Sequence, residues 1–279
     1  MVTGASKVFG LVGHPIRRSL SPAMHNKLFK LKGVDAVYVA FDVLPSQASK
    51  VANAIRTLDL AGCNLTVPFK AAILSELDEI SPTAAEAQAV NVVTQSNGHL
   101  MGFNTDGEGV VAGFEERIQD TVDGLSVLII GCGGAGRAIA STLANRKVTE
   151  IIMMNRTLAT AQRYMKHIQH LYPSIKLQAA ALTPETFLRH SAKVDLIVNA
   201  TSSPARASVE ALPITALRSS AYWCDVNYWM QNAPHVDALE ARGHVVQRGL
   251  SMLFYQGALS FEIFTGYPID TATIRELVG

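Results

Sequence analysis

Apolar positions along this chain follow two alternating rhythms. Short apolar runs recur at Val8–Val12, Val37–Val43, Cys63–Val67, Leu125–Ile130, Glu150–Met154, Lys176–Ala179, Asp195–Val198 and Ala221–Asp225. Between many of them lie stretches whose apolar residues return at helical spacing. These predict helices over Ala23–Lys32, over Ser46–Leu58 (with Val51, Ala54, Ile55 and Leu58 on one side), and over Ala71–Leu77, Glu108–Arg117 and Ala135–Asn145. Strand and helix in alternation predict an α/β fold on mainly parallel strands. One pair departs from it: Asn91–Thr94 and Leu100–Phe103 flank Asn97-Gly98, a strong hairpin turn. The Ser-, Pro- and Ala-rich stretch Thr201–Leu217 predicts a loop. The last long helix, Ser251–Phe264, carries Leu253, Phe254, Leu259, Phe261 and Phe264 around much of its circumference and must be buried. It follows the last strand, at Val245, and is expected to return to the first part of the chain.

Breakers and caps refine these elements. Gly33 ends the first helix, which Ser21 can cap, with Pro22 at its first position. The hydroxyls of Ser19 and Ser21 beside a helix start also suit a carboxylate ligand. Pro68 stops the third strand, and Lys70 follows at once, where open α/β sheets place ligands; a lysine there is a candidate acid or base. Asp106 precedes the helix Glu108–Arg117 and can cap it. His14 and His25 lack a second ligand at suitable spacing and read as a loop and a helix residue, not metal ligands.

Leu125–Ala138, LSVLIIGCGGAGRA, carries the clearest chemistry. A buried strand runs into Gly131, Gly133 and Gly136, a G-x-G-x-x-G turn that opens a helix. The first glycine permits the tight turn, the second lets a pyrophosphate approach the backbone, and the third allows close helix packing. The helix start then favours phosphate without a lysine. Asn155-Arg156-Thr157 follows the next strand. No acid stands there to read a ribose 2′-hydroxyl, and Arg156 suits a 2′-phosphate, so the expected cofactor is NADP. Thr157 also reads as a helix cap.

Composition narrows the partners. The 279 residues, 48% hydrophobic, suit two domains, and 24 basic against 23 acidic residues leave a net charge of +1. No global field favours nucleic acid or an anionic membrane, so a small-molecule partner is expected. Cys63, Cys132 and Cys224 form neither a C-x-x-C nor a zinc spacing and read as reduced thiols, Cys132 packing within the glycine turn. MVTGASKVFGLVG has too short an apolar run for a signal peptide or a span, so a cytoplasmic protein is expected.

Several further stretches carry a resemblance: Ser19-Leu20-Ser21-Pro22, Asn64-Leu65-Thr66-Val67-Pro68-Phe69-Lys70, Ala89-Val90-Asn91, Asn104-Thr105-Asp106-Gly107, Asn199-Ala200-Thr201-Ser202 and Gln256-Gly257-Ala258. With the glycine turn and Asn155-Arg156-Thr157 they lie in the order found in the shikimate dehydrogenase family, and the chain resembles that family over nearly its whole length. The resemblance implies an NADP-dependent, reversible reduction of 3-dehydroshikimate to shikimate. It implies Lys70 and Asp106 as the catalytic pair, Ser19, Ser21 and Tyr228 as carboxylate ligands, and Thr66, Asn91 and Gln256 as hydroxyl ligands. It further implies a cofactor site of Gly131, Gly133, Gly134, Ala135, Gly136, Asn155, Arg156, Thr157, Thr201 and Gly249, and no metal. The expected architecture has an α/β substrate-binding domain with a mixed, mainly parallel sheet (residues 1–106 and 250–279) and a Rossmann NADP-binding domain (residues 107–249). The final helix returns to the first, and the protein is expected to be a monomer or homodimer.

Departures from the family pattern are Val92, Thr160 where many relatives carry a second basic residue, Ser203-Pro204, and the surroundings of Tyr228 in Asp225-Val226-Asn227-Tyr228-Trp229. They keep two alternatives open: a quinate or aminoshikimate-type dehydrogenase, and a noncatalytic, ligand-responsive regulator. Intact Lys70 and Asp106 and the lack of an appended DNA-binding segment count against the regulator.

Overall fold

A computed structural model describes residues 2–202, 206–228 and 233–278. Ser203-Pro204 and Trp229 lie outside the described residues. The chain divides into two compact units, Met1–Gly109 with Phe254–Gly279, and Val110–Leu253.

The first unit contains β1 (Lys7–Gly13), α1 (Ser21–Lys32), β2 (Ala36–Asp42), α2 (Val51–Thr57), β3 (Gly62–Leu65), α3 (Phe69–Ala72), β4 (Glu79–Ile80), α4 (Pro82–Ala87), β5 (Val92–Ser96) and β6 (His99–Phe103). Its sheet runs β2-β1-β3-β5-β6-β4. β1 pairs in parallel with β2 and β3, β5 is antiparallel to β3 and β6, and β4 is parallel to β6. Asn97 and Gly98, both at positive φ (50° and 81°), join β5 to β6 and pair Ser96 with His99. That is the backbone a two-residue hairpin demands.

Several expected elements change in detail. Ser46–Leu58 is a 3₁₀ turn, Pro45–Lys50, followed by the shorter α2. Ala54 and Leu58 point to water while Val51, Ala52 and Ile55 are buried. Ala71–Leu77 is likewise split into α3 and a 3₁₀ turn, Leu74–Glu76. Lys70 therefore sits within a helical turn that begins at Phe69, whose ring is buried. Ser21 does not cap α1 but opens it, and its N–H donates to Ser19 Oγ at 3.2 Å. His25 lies on a helix as expected, but it is buried: it is 1% exposed and stacks on Tyr38, ring centroids 4.5 Å apart, within a cluster that includes Phe29 and Phe261.

α5 (Asp106–Ile118) begins in the first unit and ends in the second. The second unit holds β7 (Ser126–Ile130), α6 (Gly134–Asn145), β8 (Glu150–Asn155), α7 (Leu158–Leu171), β9 (Lys176–Ala181), α8 (Pro184–Ser191), β10 (Leu196–Asn199), α9 (Arg206–Glu210), β11 (Tyr222–Asp225), α10 (Pro234–Ala241) and β12 (Val246–Gln247). All its strands pair in parallel, in the order β12-β11-β10-β7-β8-β9. Val127 and Ile129 of β7 enter one core while Leu128 and Ile130 enter another on the opposite face. A strand covered on both sides has no solvent face, which is why its sequence is an unbroken apolar run. The expected loop Thr201–Leu217 contains α9 and a 3₁₀ turn at Ile214–Ala216, because Val209, Leu212 and Ile214 are drawn into the second of these cores.

The chain closes with α11 (Gly249–Thr265) and an additional helix, α12 (Thr271–Val278). From Phe254 onward these residues belong to the first unit. Gly257 lets α11 lie close on α1, since a β-carbon there would stand 2.3 Å from Met24 Cε. Lys27 of α1 donates to the carbonyl of Leu277 in α12.

Candidate active site

In the first sheet the strand order reverses between β1 and β3, because β1 leads to β2 on one side and β3 lies on the other. Open α/β sheets bind ligands beyond the strand ends at such a point. Ser19 and Ser21 follow β1, Thr66 and Lys70 follow β3, Asn91 immediately precedes the antiparallel β5, and Asp106 follows β6. The topology thus brings these residues to one edge of the sheet. His14 N–H donates to the Val67 carbonyl at 3.0 Å, tying the loop after β1 to the segment after β3.

The centre of this edge is a buried polar network. Lys70 Nζ lies 2.5 Å from Asp106 Oδ2, with the side chains 14% and 3% exposed. Asn91 Nδ2 donates to Asp106 Oδ1 at 3.0 Å, and Asn91 Oδ1 accepts from Thr105 N–H at 2.9 Å. Asp106 is therefore no helix cap: both of its carboxylate oxygens are engaged by side chains. Its own N–H donates to Asn104 Oδ1 at 3.0 Å, so Asn104 serves the turn into α5. The Val90 N–H donates to the Lys70 carbonyl at 2.7 Å, fixing α3 against the segment that carries Asn91. A buried carboxylate held this way is stable only while its cation and amide partners remain.

The network runs further than the sequence predicts. Asn64 Nδ2 donates to the Asn91 carbonyl and to Ser260 Oγ, each at 3.1 Å, and Tyr38 Oη donates to Asn64 Oδ1 at 2.7 Å. Ser260 Oγ donates to the Gln256 carbonyl at 2.7 Å, and Thr105 Oγ1 reaches the same carbonyl at 3.3 Å. The main chain of Gln256 is thereby anchored to Asn91 and Asp106. Tyr38 and Ser260 escape sequence reading because each occupies an otherwise apolar element, and Thr105 because its partners Asn91 and Gln256 are distant in sequence. Tyr228 belongs to the second unit.

The second sheet reverses its order between β7 and β10, and here the glycine turn follows β7 while Thr201 follows β10. Gly131 has φ 107°, a left-handed conformation that L side chains rarely adopt. Gly133 opens onto space, with nothing within 4 Å of a β-carbon placed there, so a phosphate can approach its backbone. A β-carbon on Gly136 would stand 2.0 Å from the Gly131 carbonyl oxygen. Gly136→Ala is therefore expected to destabilise the chain by about 1–3 kcal/mol, as overpacking does, and to weaken NADPH and NADH alike. Urea unfolding and cofactor titration check this, and an unchanged variant would remove the steric role of Gly136. Gly249 meets the backbone of Val226, Asn227 and Tyr228 in the same way, with a notional β-carbon 2.6 Å from the Asn227 carbonyl carbon. Gly134 and Ala135 form the first turn of α6.

Asn155 bridges the turn to the strand beside it, its Oδ1 accepting from Cys132 N–H at 3.2 Å and its Nδ2 donating to the Thr157 carbonyl at 3.0 Å. Arg156 and Thr157 are exposed at the end of β8. Thr157 stands at the cap position of α7 but its hydroxyl makes no capping bond. Thr201 Oγ1 donates to Asn199 Oδ1 at 2.7 Å, and Asn199 Nδ2 donates to Asp225 Oδ2 at 2.8 Å. Asp225 Oδ1 accepts from the Asn227 backbone and side chain, both at 2.8 Å. This buried carboxylate joins the segments after β10 and β11, a link the sequence does not reveal.

The cysteines are all buried and unbridged. Burial pushes the Cys63 thiol up to about 12 and raises that of Cys132, which Arg137 only partly offsets. Neither is a reactive thiolate at neutral pH. Among the described residues no cluster of three His, Cys, Asp or Glu side chains could hold a metal, and no helix is long and apolar enough to cross a membrane.

A parallel sheet with a glycine turn at its switch point, and a buried lysine–carboxylate pair at the ligand-binding edge of another sheet, define a dinucleotide-dependent oxidoreductase architecture. Residues 11–93 match the family described as shikimate dehydrogenase substrate binding domain, residues 114–222 match shikimate / quinate 5-dehydrogenase, and residues 249–278 match the shikimate 5′-dehydrogenase C-terminal domain. The chain belongs to the shikimate dehydrogenase family. The shikimate dehydrogenase (NADP(+)) of Geobacillus kaustophilus is 38% identical over 274 residues, 98% of this chain and 97% of that one. Among solved structures, shikimate 5-dehydrogenase from Listeria monocytogenes in complex with shikimate and NAD is 32% identical with a TM-score of 0.87, covering 100% of this chain and 98% of that one. Shikimate 5-dehydrogenase from Thermus thermophilus in complex with NADP(H) and shikimate is 31% identical with a TM-score of 0.83, covering 98% of each chain.

Proposed function

We propose that this chain is an NADP-dependent shikimate dehydrogenase, interconverting 3-dehydroshikimate and shikimate in aromatic biosynthesis. The observation that carries the reading is the Lys70–Asp106 pair, held by Asn91 at the switch point of the first sheet. We assign residues 1–106 and 250–279 to the substrate and residues 107–249 to the cofactor. The open backbone at Gly133 and the exposed Arg156 fit a phosphate-bearing dinucleotide, whose nicotinamide supplies or accepts the hydride.

When hydride adds to the ketone carbon, the electron pair of the C=O bond moves to oxygen. The Lys70 ammonium stabilises that developing alkoxide and delivers a proton to it. Asp106 holds Lys70 in place and, in the reverse direction, orients the hydroxyl that loses its proton. Asn91 keeps one Asp106 oxygen engaged so that the other faces Lys70. Ser19, Ser21 and Tyr228 hold the substrate carboxylate, Thr66, Asn91 and Gln256 its hydroxyls. We further propose a cytoplasmic protein, monomeric or homodimeric, with no nucleic-acid or membrane partner.

The test is kcat/KM for shikimate and quinate with NADP and NAD at one pH. Quinate carries an extra hydroxyl on the carbon bearing the carboxylate. Burying it without a partner costs about 1–3 kcal/mol, so shikimate is expected to be favoured by roughly 10- to 100-fold. Equal values, or a preference for quinate, would reject the substrate assignment and leave the hydride chemistry standing. No turnover of either acid would favour the regulator.

A further inference from the structure

Arg137, on the first turns of α6, has no role in the reading above, yet its guanidinium sits at the glycine turn. Its Nε donates to the Cys132 carbonyl at 3.3 Å, and the guanidinium carbon stands 5.6 Å from the centroid of the Tyr164 ring. Tyr164 Oη in turn donates to the Arg137 carbonyl at 2.6 Å, so ring and backbone brace each other. Stacking on a tyrosine face and one directed hydrogen bond restrict a side chain that is otherwise long and mobile. Its side chain also hydrogen-bonds the Cys132 thiol. A guanidinium carries more N–H donors than these two partners take up, and the remaining ones are available to an acceptor from outside the chain.

The surroundings identify which acceptor. Cys132, whose carbonyl receives Arg137, donates its own N–H to Asn155 Oδ1, and Arg156 is the next residue after Asn155. The Cys132 thiol also contacts the Thr160 carbonyl at 3.8 Å on the first turn of α7. One residue of the turn is therefore bordered by Arg137, by the strand end that presents Arg156, and by the neutral Thr160. Arg156 is exposed, and a single exposed cation is a weak hold on a doubly charged phosphate. The planar guanidinium of Arg137, held on Cys132 of the same turn, is a suitable second one.

We infer that Arg137 is a second specificity residue for the cofactor and, with Arg156, clamps the 2′-phosphate of NADP. The inference rests on the cofactor reading above and deepens it.

Dissociation constants for NADPH and NADH, from nicotinamide fluorescence titration, test it in the intact protein and in the Arg137→Ala, Arg137→Lys and Arg156→Ala variants. Thermal midpoints would be recorded beside them. Arg137→Ala is expected to weaken NADPH about tenfold and NADH less than about twofold, with Arg137→Lys between because a point charge keeps part of the attraction. Arg156→Ala is expected to show the same selectivity. Equal weakening of both cofactors by Arg137→Ala would assign Arg137 to propping the turn, and no weakening of either would place it outside the site. Either result overturns the inference. The NADP reading is judged separately, on the unsubstituted protein: comparable affinity for NADPH and NADH there would overturn that reading, while the role of Arg137 is still decided by the selectivity of the change on substitution.

Discussion

Lys70→Ala is expected to lower kcat by at least about a hundredfold while changing KM much less. Lys70 is needed chiefly when charge builds on the reacting oxygen, and an interaction made mainly in the transition state is lost from kcat and not from ground-state binding. The structure adds a second consequence. Asp106 is 3% exposed in its side chain and, among the described residues, would keep only Asn91 as a side-chain partner. An uncompensated buried carboxylate destabilises the fold around it, so the variant needs a thermal midpoint beside its kinetics. Lys70→Arg separates the two effects: it keeps a positive charge beside Asp106 but places a planar guanidinium, which gives up its proton far less readily, where an ammonium stood. Folding restored without turnover is the expected outcome for Lys70→Arg. A Lys70→Ala enzyme with near-normal kcat and only weakened substrate binding would remove Lys70 from the chemistry.

That pair also marks how far a sequence can be read. Each partner could be singled out, Lys70 for its place after a strand and Asp106 for its place before a helix. Their contact could not, because 36 residues separate them and only the order of the first sheet joins their strands. Local readings of Asp106 and Ser21 as caps also failed. Both stand close to a helix start, but a tertiary partner took the carboxylate of Asp106, and Ser21 falls one residue inside α1, whose cap position is Leu20. The glycine turn was legible because its requirements are local: Gly131 needs a left-handed φ, and Gly136 must clear a carbonyl five residues earlier.

Periodicity misled at Ser46–Leu58. Ala54 and Leu58 keep helical spacing with Val51 and Ile55, yet the 3₁₀ turn before α2 and its short length leave them in water. The polar chain from Tyr38 through Asn64 and Ser260 to Gln256 was invisible for the opposite reason. Polar side chains in apolar elements look like isolated exceptions until the fold supplies each with a partner. Asn64 and Gln256, both in stretches that carry the family resemblance, were the available signals.

His25 provides the strongest expected dependence of stability on pH. It is fully buried on α1, stacks on Tyr38, and its Nδ1 has no hydrogen-bond partner among the described residues. Burial alone drives its pKa from 6.5 down to about 3. The folded chain therefore keeps the imidazole neutral between those values while the unfolded chain protonates it. Below pH 6.5 the unfolded state binds the extra proton, so stability rises with pH across this window and falls as pH drops toward about 3. One proton's difference corresponds to about 1.4 kcal/mol per pH unit in the interior of the window. Above pH 6.5 both states are neutral at this position and the contribution is flat. His190, also lowered by burial, adds slope of the same sign, so the measurement must isolate His25. His25→Phe does this, since it keeps an aromatic ring against Tyr38 and Phe261 and removes the titrating group. Urea unfolding followed by far-ultraviolet circular dichroism between about pH 4.5 and 7.5 should show a shallower pH dependence for the variant, by about that amount per unit. Parallel curves for the two proteins would mean that His25 is already protonated in the fold, or reaches water before it unfolds.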